Sequence, residues 1–174
     1  LPLDLAARFQ SQLSLDDDFE RTQRQHILPI YLLESGQTPL KRANAFFQRH
    51  PYFSNALGSG VEIENADNFL EIQFVRKVLA PLMNDAGLRV VEPQRSIGPY
   101  HVDFAVEGAS KFAIEVDGFG KFKERRDLDD FIKRQNYITS QGWRVIRFTY
   151  GQIMENTKAT LKSLHTFLKD DIQL

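Results

Sequence analysis

The chain has 174 residues, which is long enough for one ordinary domain with its own hydrophobic core. Its formal net charge of −1 argues against a histone-like general binder of nucleic acid, although it is compatible with a local basic patch. Cysteine is absent and no apolar run approaches the roughly 20 residues that span a bilayer, which excludes disulfides, thiolate metal sites and a transmembrane helix and indicates a cytoplasmic protein.

Residues 1–60 are predicted to form a helical accessory segment, packed outside the main domain. Within it, Thr38 and Pro39 predict a helix start, because a threonine N-cap followed by proline at the first helical position is a common arrangement. A run of small residues before position 60 marks the expected boundary to a domain of residues 61–174. Since the first residue is Leu1 and not methionine, we expect the chain to be part of a longer protein.

The next predicted helix, residues 68–83, carries one anomaly. Glu71 falls near the middle of its apolar face, where a carboxylate without a partner is unfavourable. In one interpretation, Asn68 is the N-cap and Glu71 turns back to the backbone, as in a capping box. In the other, which we favour, Glu71 reaches beneath the sheet to a cluster of acids and completes a metal site.

Two predicted strands follow, at HVDFAV and FAIEVDG, because aliphatic residues recur at every second position in both. Their acids, Asp103, Glu115 and Asp117, lie on the faces opposite the aliphatic residues. If the strands pair as a hairpin, the three carboxylates meet on one small patch of sheet. Mutual repulsion makes such a patch unfavourable without a cation, so we infer a site for a divalent metal.

A basic segment follows the acids directly and continues onto the next helix. Cations beside a metal site are what a phosphodiester backbone requires, so these residues are candidate DNA contacts. The alternative is an ordinary solvated face. The candidates are Lys121, Lys123, Arg125, Arg126, Lys133 and Arg134.

Four further elements complete the predicted domain. A first strand is expected at residues 88–92, a helix at 127–140, a strand at 143–149 and a last helix at 151–168. The strand at 143–149 is almost continuously apolar, which is typical of a strand covered on both faces. Trp143 is therefore predicted to be a core residue. Together the elements predict an α/β class fold, more closely a mixed α+β sheet of about four strands with flanking helices.

The ordered series of Asp103, then EVDG, then a basic helix, then GWRVIRF resembles the PD-(D/E)xK nuclease superfamily. Within it, the series is similar to small restriction-endonuclease-like domains related to very-short-patch repair endonucleases. The resemblance spans residues 64–168. It implies a restriction-endonuclease-like core, here with an N-terminal helical extension, and hydrolysis of DNA with Mg²⁺ or Mn²⁺. It also implies that Asp103, Glu115 and the carbonyl of Val116 bind the metal, with Glu71 as a further acid from the first helix.

The chain departs from this family at the position of the motif lysine, two residues after the second acid, where it has Asp117. Lys121 from the following loop, or Lys133 and Arg134 from the helix, could substitute for that lysine. The catalytic candidates are therefore Asp103, Glu115, Asp117 and Lys121, with Asp117 either a metal ligand or a residue that only holds a neighbouring cation.

The resemblance implies DNA as the partner and a place in a larger DNA-processing, repair or restriction protein, beside a domain such as a helicase. Three other interpretations remain open. The chain could be a degenerate nuclease fold that binds DNA or a protein partner without cutting. It could be an α/β domain whose acids only solubilise a sheet edge. It could also be a protein-interaction module that uses its N-terminal helices.

Overall fold

The computed structural model of the chain describes residues 38–58, 63–118 and 124–172. No helix within these ranges is both long and apolar enough to cross a bilayer. The elements used below are, in chain order, α1 (Pro39–Arg49), a 3-10 helix (Pro51–Leu57), α2 (Phe69–Phe74, continuing through a π turn at Val75–Leu79 into a last turn at Ala80–Leu82), α3 (Asp85–Arg89), β1 (Val91–Ile97), β2 (Tyr100–Glu107), β3 (Lys111–Asp117), α4 (Arg125–Ser140), β4 (Arg144–Thr149), α5 (Tyr150–Met154) and α6 (Thr157–Leu168).

The four strands of the described ranges form one mixed sheet in the order β1-β2-β3-β4. β1, β2 and β3 pair antiparallel, while β4 lies parallel to β3 after the crossover through α4. The predicted hairpin is present, with Glu107 opposite Lys111 across the turn. The predicted fold class, a mixed α+β sheet with flanking helices, is confirmed.

Helices cover both faces of the sheet, and each face has its own hydrophobic cluster. The larger cluster joins α1, α2 and α6 to one face, and rings such as Phe74 and Phe104 are in contact in it, with centroids 5.3 Å apart. The smaller cluster lies on the other face and includes Ile138 of α4. Trp143 belongs to it and is 5 % exposed, so its prediction as a core residue is confirmed.

The described part of the N-terminal segment is helical, as predicted. Thr38 caps α1 by accepting a hydrogen bond from the Lys41 N–H, and Pro39 occupies the first helical position. However, residues 38–58 are not a separate layer outside the main domain. They pack directly on the sheet, where Phe53 stacks on Phe104 of β2 with ring centroids 6.2 Å apart. Three phenylalanines of this stretch are buried in the larger cluster. The domain boundary near residue 60 stays a prediction, and residues 1–37 lie outside the described ranges.

Two predicted elements differ from the structure. The first strand begins at Val91 and not at residue 88, because Asn84 caps the short helix α3 by accepting a hydrogen bond from Gly87 N–H over 2.7 Å. The last helix is two helices, α5 and α6. They separate at Asn156, which serves as the N-cap residue of α6.

Candidate active site

The backbone pairing of β2 with β3 ends at Phe104↔Ile114, next to the two acids of the predicted motif. Beyond this pair, the carboxylate of Asp103 accepts a hydrogen bond from the backbone N–H of Val116, over 2.7 Å. At the end of the β2–β3 ladder, a side-chain oxygen therefore replaces a backbone carbonyl as the acceptor for a β3 amide. This hydrogen bond fixes the Asp103 carboxylate beside Glu115, the neighbour of Val116 on β3.

Glu115 is a buried carboxylate, with only 2 % of the residue exposed. Burial and, after it, the negative charge of Asp103 raise the pKa of Glu115 to about 7, although the guanidinium groups of Arg134 and Arg147 act in the opposite direction. The structure thus brings Asp103 and Glu115 together in a repulsion that the two arginines offset only in part.

Arg134, a predicted DNA contact, extends from α4 to this acid pair. Its Nη2 lies 2.6 Å from Oε1 of Glu115. The same nitrogen donates a hydrogen bond to the carbonyl oxygen of His101 over 2.5 Å. The interaction with Glu115 is therefore a close ion pair, and it lowers the pKa of that carboxyl against the effect of burial. Oε1 itself is out of contact with solvent.

Asp117, the third predicted acid, is engaged by a cation from β4. The Nε and Nη2 of Arg147 donate to its two carboxylate oxygens, each over 2.8 Å. On its other side the guanidinium carbon of Arg147 lies 4.3 Å from the ring centroid of Phe131, on α4. Of the three carboxylates expected to meet, the structure therefore pairs Asp103 with Glu115, and it holds Asp117 against Arg147.

Glu71 approaches the acid pair from α2. Burial and the negative charge of Asp103 raise the pKa of Glu71, while the Tyr52 hydroxyl donates a hydrogen bond to its Oε1 over 3.2 Å. Asn68 makes no capping hydrogen bond with its side chain, which instead pairs with the side chain of Asn55. Asn68 is nevertheless the N-cap residue of this helix, as the capping-box interpretation requires, and what is missing is the capping hydrogen bond of its side chain. The charge of Glu71 acts on the same site as the strand acids.

The predicted basic residues other than Arg134 divide into two groups. Arg125, Arg126 and Lys133 lie on α4 with exposed side chains, and Arg126 is 3.9 Å from Asp130 in a weak surface pair. They remain accessible to a partner on this helix. Lys121 and Lys123 lie outside the described residues.

The donor atoms of the site suit a hard divalent cation in kind. Asp103 and Glu115 provide carboxylate oxygens, and Mg²⁺ binds such oxygens while keeping several of its waters, so two carboxylates and one carbonyl can suffice. The buried Oε1 of Glu115 already lies within ion-pair distance of one cation, the Arg134 guanidinium, so this position accommodates positive charge. The described residues contain no group of three or more histidine, aspartate or glutamate side chains arranged to hold a metal ion. The fit therefore depends on the strand pair and on retained water.

Sequence reasoning missed two side chains of this site. Arg147 stands opposite Glu115 in the parallel register of β3 and β4, and Tyr52 reaches Glu71 from the 3-10 helix. A charged residue inside the apolar strand GWRVIRF was the available signal for Arg147. No comparable signal existed for Tyr52, because its hydrogen bond joins residues 19 positions apart in a region without regular periodicity.

A comparison with protein families gives a match over the part of the chain that carries this site. The family model REase_MTES_1575, a restriction-endonuclease-like family, matches residues 74–168, a range that includes all four strands, α4 and both strand acids of the site. No curated protein and no solved structure gives a significant match to the chain. The family match covers more than half of the chain. The chain therefore belongs to the REase_MTES_1575 family of restriction-endonuclease-like domains.

Proposed function

We propose that this chain is a metal-dependent endonuclease domain that hydrolyses phosphodiester bonds in DNA. The observation that carries the proposal is the pairing of Asp103 with a buried Glu115 at the end of the β2–β3 ladder, where the two carboxylates repel each other. Membership in a restriction-endonuclease-like family supports nuclease activity in general. The motif resemblance adds DNA as the substrate, and a larger DNA-processing, repair or restriction protein, with a partner domain such as a helicase, as the setting.

In this proposal, Asp103, Glu115 and the carbonyl of Val116 hold Mg²⁺ or Mn²⁺, and Glu71 completes the set from α2. A bound ion of this kind would lower the pKa of a water and offset charge on phosphate oxygens. Asp103 keeps its place through the Val116 amide, and Glu115 keeps its place by burial in the sheet. The protein thus supplies a rigid pair of ligands on neighbouring strands.

The same proposal assigns the phosphate backbone to the cations that follow the acids. Each such cation positions the DNA without reading its sequence. Lys121 is the candidate substitute for the motif lysine, and Lys121→Met should lower the cleavage rate without lowering metal affinity. The proposed DNA-binding residues are Lys121, Lys123, Arg125, Arg126, Lys133 and Arg134.

Cleavage of a mixture of single- and double-stranded DNA with Mg²⁺ or Mn²⁺ tests the proposal. Asp103→Asn and Glu115→Gln each remove a ligand charge while keeping the side-chain shape, so both should abolish cleavage and leave the fold intact. Glu155→Gln, the same chemical change at an exposed position, is the matched control and should cut like the wild type. Cleavage at the wild-type rate by either strand-acid variant would refute these roles.

A second function is favoured by a specific observation, namely that a cation already stands at the acid pair. Arg134 lies 2.6 Å from Glu115, and Asp117, at the position of the motif lysine, is bound to Arg147. Such a site could belong to a degenerate nuclease fold that binds DNA without cutting it. Calorimetric titration with Mn²⁺ separates the two functions, since DNA binding without metal binding or cleavage would support the degenerate one.

A further inference from the structure

Arg147 and Asp117 form an ion pair that is held by hydrogen bonds on one side and by an aromatic ring on the other. The two hydrogen bonds of 2.8 Å fix the plane of the guanidinium against the carboxylate, which is the bidentate geometry that gives arginine pairs their strength. The Phe131 ring, 4.3 Å from the guanidinium carbon, covers it from α4. Arg147 therefore cannot leave its position without separating from both partners.

The third nitrogen of this guanidinium has no such partner. Nη1 of Arg147 is out of contact with solvent and has no hydrogen-bond acceptor among the described residues. A buried donor without an acceptor has a desolvation cost, which a leucine or methionine in the same space would not have, although either would leave Asp117 without its cation. The fold therefore keeps a positive charge here despite the cost of one unsatisfied donor, which calls for an explanation beyond core packing.

The sheet register places that charge next to the acid pair. Arg147 is the partner of Glu115 in the parallel ladder between β3 and β4, so their side chains leave the same face of the sheet on neighbouring strands. Asp117 lies two residues after Glu115 on β3 and shares this face. Arg147 thus lies between a buried carboxylate that repels Asp103 and a second carboxylate that holds it in place.

We propose that Arg147 is a positioning residue of the acid site: its fixed positive charge offsets the repulsion between the strand carboxylates, and Asp117 anchors Arg147 instead of binding the divalent cation. This inference rests on the proposed function. It gives Asp117 a role that differs from a catalytic or ligand carboxylate. In this arrangement the fixed positive charge of the site belongs to Arg147 on β4, and not to a lysine at position 117 on β3.

Calcium binding, measured by calorimetry at about pH 8.5 so that the carboxylates are ionised, tests this charge balance. Asp117→Asn removes the negative charge that neutralises Arg147 and should weaken calcium binding about tenfold. Arg147→Gln removes the positive charge and should strengthen calcium binding by a similar factor. The double variant should bind calcium within about twofold of the wild type, since the two charge changes cancel. Arg147→Lys keeps the charge and should also resemble the wild type.

Other roles for the pair give different patterns. If Asp117 is a metal ligand, the double variant binds calcium clearly more weakly than the wild type, because removing the charge of Arg147 does not replace the lost ligand. If the pair is only structural, the variants lower the urea midpoint of unfolding and leave calcium affinity unchanged. Arg89→Gln and Glu155→Gln make the same charge changes at exposed positions and serve as controls, with little expected effect on calcium affinity.

The outcome also separates this inference from the proposed function. A wild-type protein that binds calcium or manganese, combined with a double variant that stays weak, overturns the role of Arg147 alone. A wild-type protein that binds neither ion overturns the metal dependence and this inference together. If Arg147→Gln does not fold, Arg147→Met, which can pack on Phe131 without a charge, replaces it in the same set of four proteins.

Discussion

Replacing Glu115 with glutamine should change the pH dependence of stability in a direction that the structure determines. Burial and the charge of Asp103 raise the pKa of Glu115 from 4.5 to about 7. Each pKa unit corresponds to about 1.4 kcal/mol, so the ionised side chain lowers the stability of the folded chain by about 3 kcal/mol relative to the protonated one. Glutamine resembles the protonated form in shape and charge.

The sign follows from proton binding. Between pH 4.5 and about 7 the folded chain keeps a proton on Glu115 that the unfolded chain has lost, so stability falls as the pH rises through this window. The stabilising effect of the raised pKa is complete below pH 4.5 and absent above about 7. Glu115→Gln should therefore match the wild type at low pH and exceed it at alkaline pH, by up to about 3 kcal/mol.

Urea denaturation of both proteins at about pH 5 and about pH 8.5 measures this difference. The raised pKa of Glu71 acts in the same direction in both proteins, so it cancels in the comparison. Glu155→Gln, at an exposed position, should follow the wild-type profile. Parallel profiles for wild type and Glu115→Gln would refute the reasoning. A variant that is less stable than the wild type at about pH 8.5 would show instead that the ion pair with Arg134 outweighs burial and repulsion.

Three further predictions concern the surface, the helix acid and the turn. Reversing the charges of Arg125 and Arg126 together should weaken DNA binding and reduce the salt dependence by about one unit for each phosphate that the chain no longer neutralises, as measured with labelled duplex at two salt concentrations; unchanged affinity would make these arginines a solvated face only. Under the proposed function, Glu71→Gln should slow Mg²⁺-dependent cleavage less than the amide change at either strand acid, because Glu71 would only complete the proposed metal site from α2; an equal reduction would place Glu71 among the main ligands. Gly98→Ala should destabilise the chain by more than about 1 kcal/mol in urea, since φ is +57° there and the new Cβ would lie 2.1 Å from the Tyr137 hydroxyl. Tyr137→Phe in the same chain should restore part of that stability, and a silent Gly98→Ala would contradict the geometry.

Local patterns were sufficient to predict the elements that carry the strand acids. Alternating aliphatic residues predicted β2 and β3, and the sequence Thr38-Pro39 predicted the start of α1, because each signal lies within a few residues of the element that it specifies. The first strand was placed too early for the same local reason. Leu88 is apolar and fits a strand pattern, but Asn84 begins a short helix that includes it.

Side-chain partners across the sheet could not be predicted in this way. The bond between Asp117 and Arg147 joins residues 30 positions apart, and it depends on the parallel register that β4 adopts after α4. Several cations were candidates for the acid site, yet only the rotation of α4 on the sheet determines that Arg134 reaches Glu115. Such choices depend on packing between elements, which no local pattern records.

The charges of the described site lead to one final expectation. The site contains two guanidinium groups, those of Arg134 and Arg147, and four carboxylates. When all four carboxylates are ionised, the site has an excess of two negative charges. The carboxylates are those of Glu71, Asp103, Glu115 and Asp117. A proton on Glu115 at low pH, an amide in Glu115→Gln and a bound divalent cation each reduce that excess. If the excess is what destabilises the wild type at about pH 8.5, calcium should raise its stability in urea and should have little effect on Glu115→Gln. A calcium effect of equal size in both proteins would mean that the ion binds elsewhere.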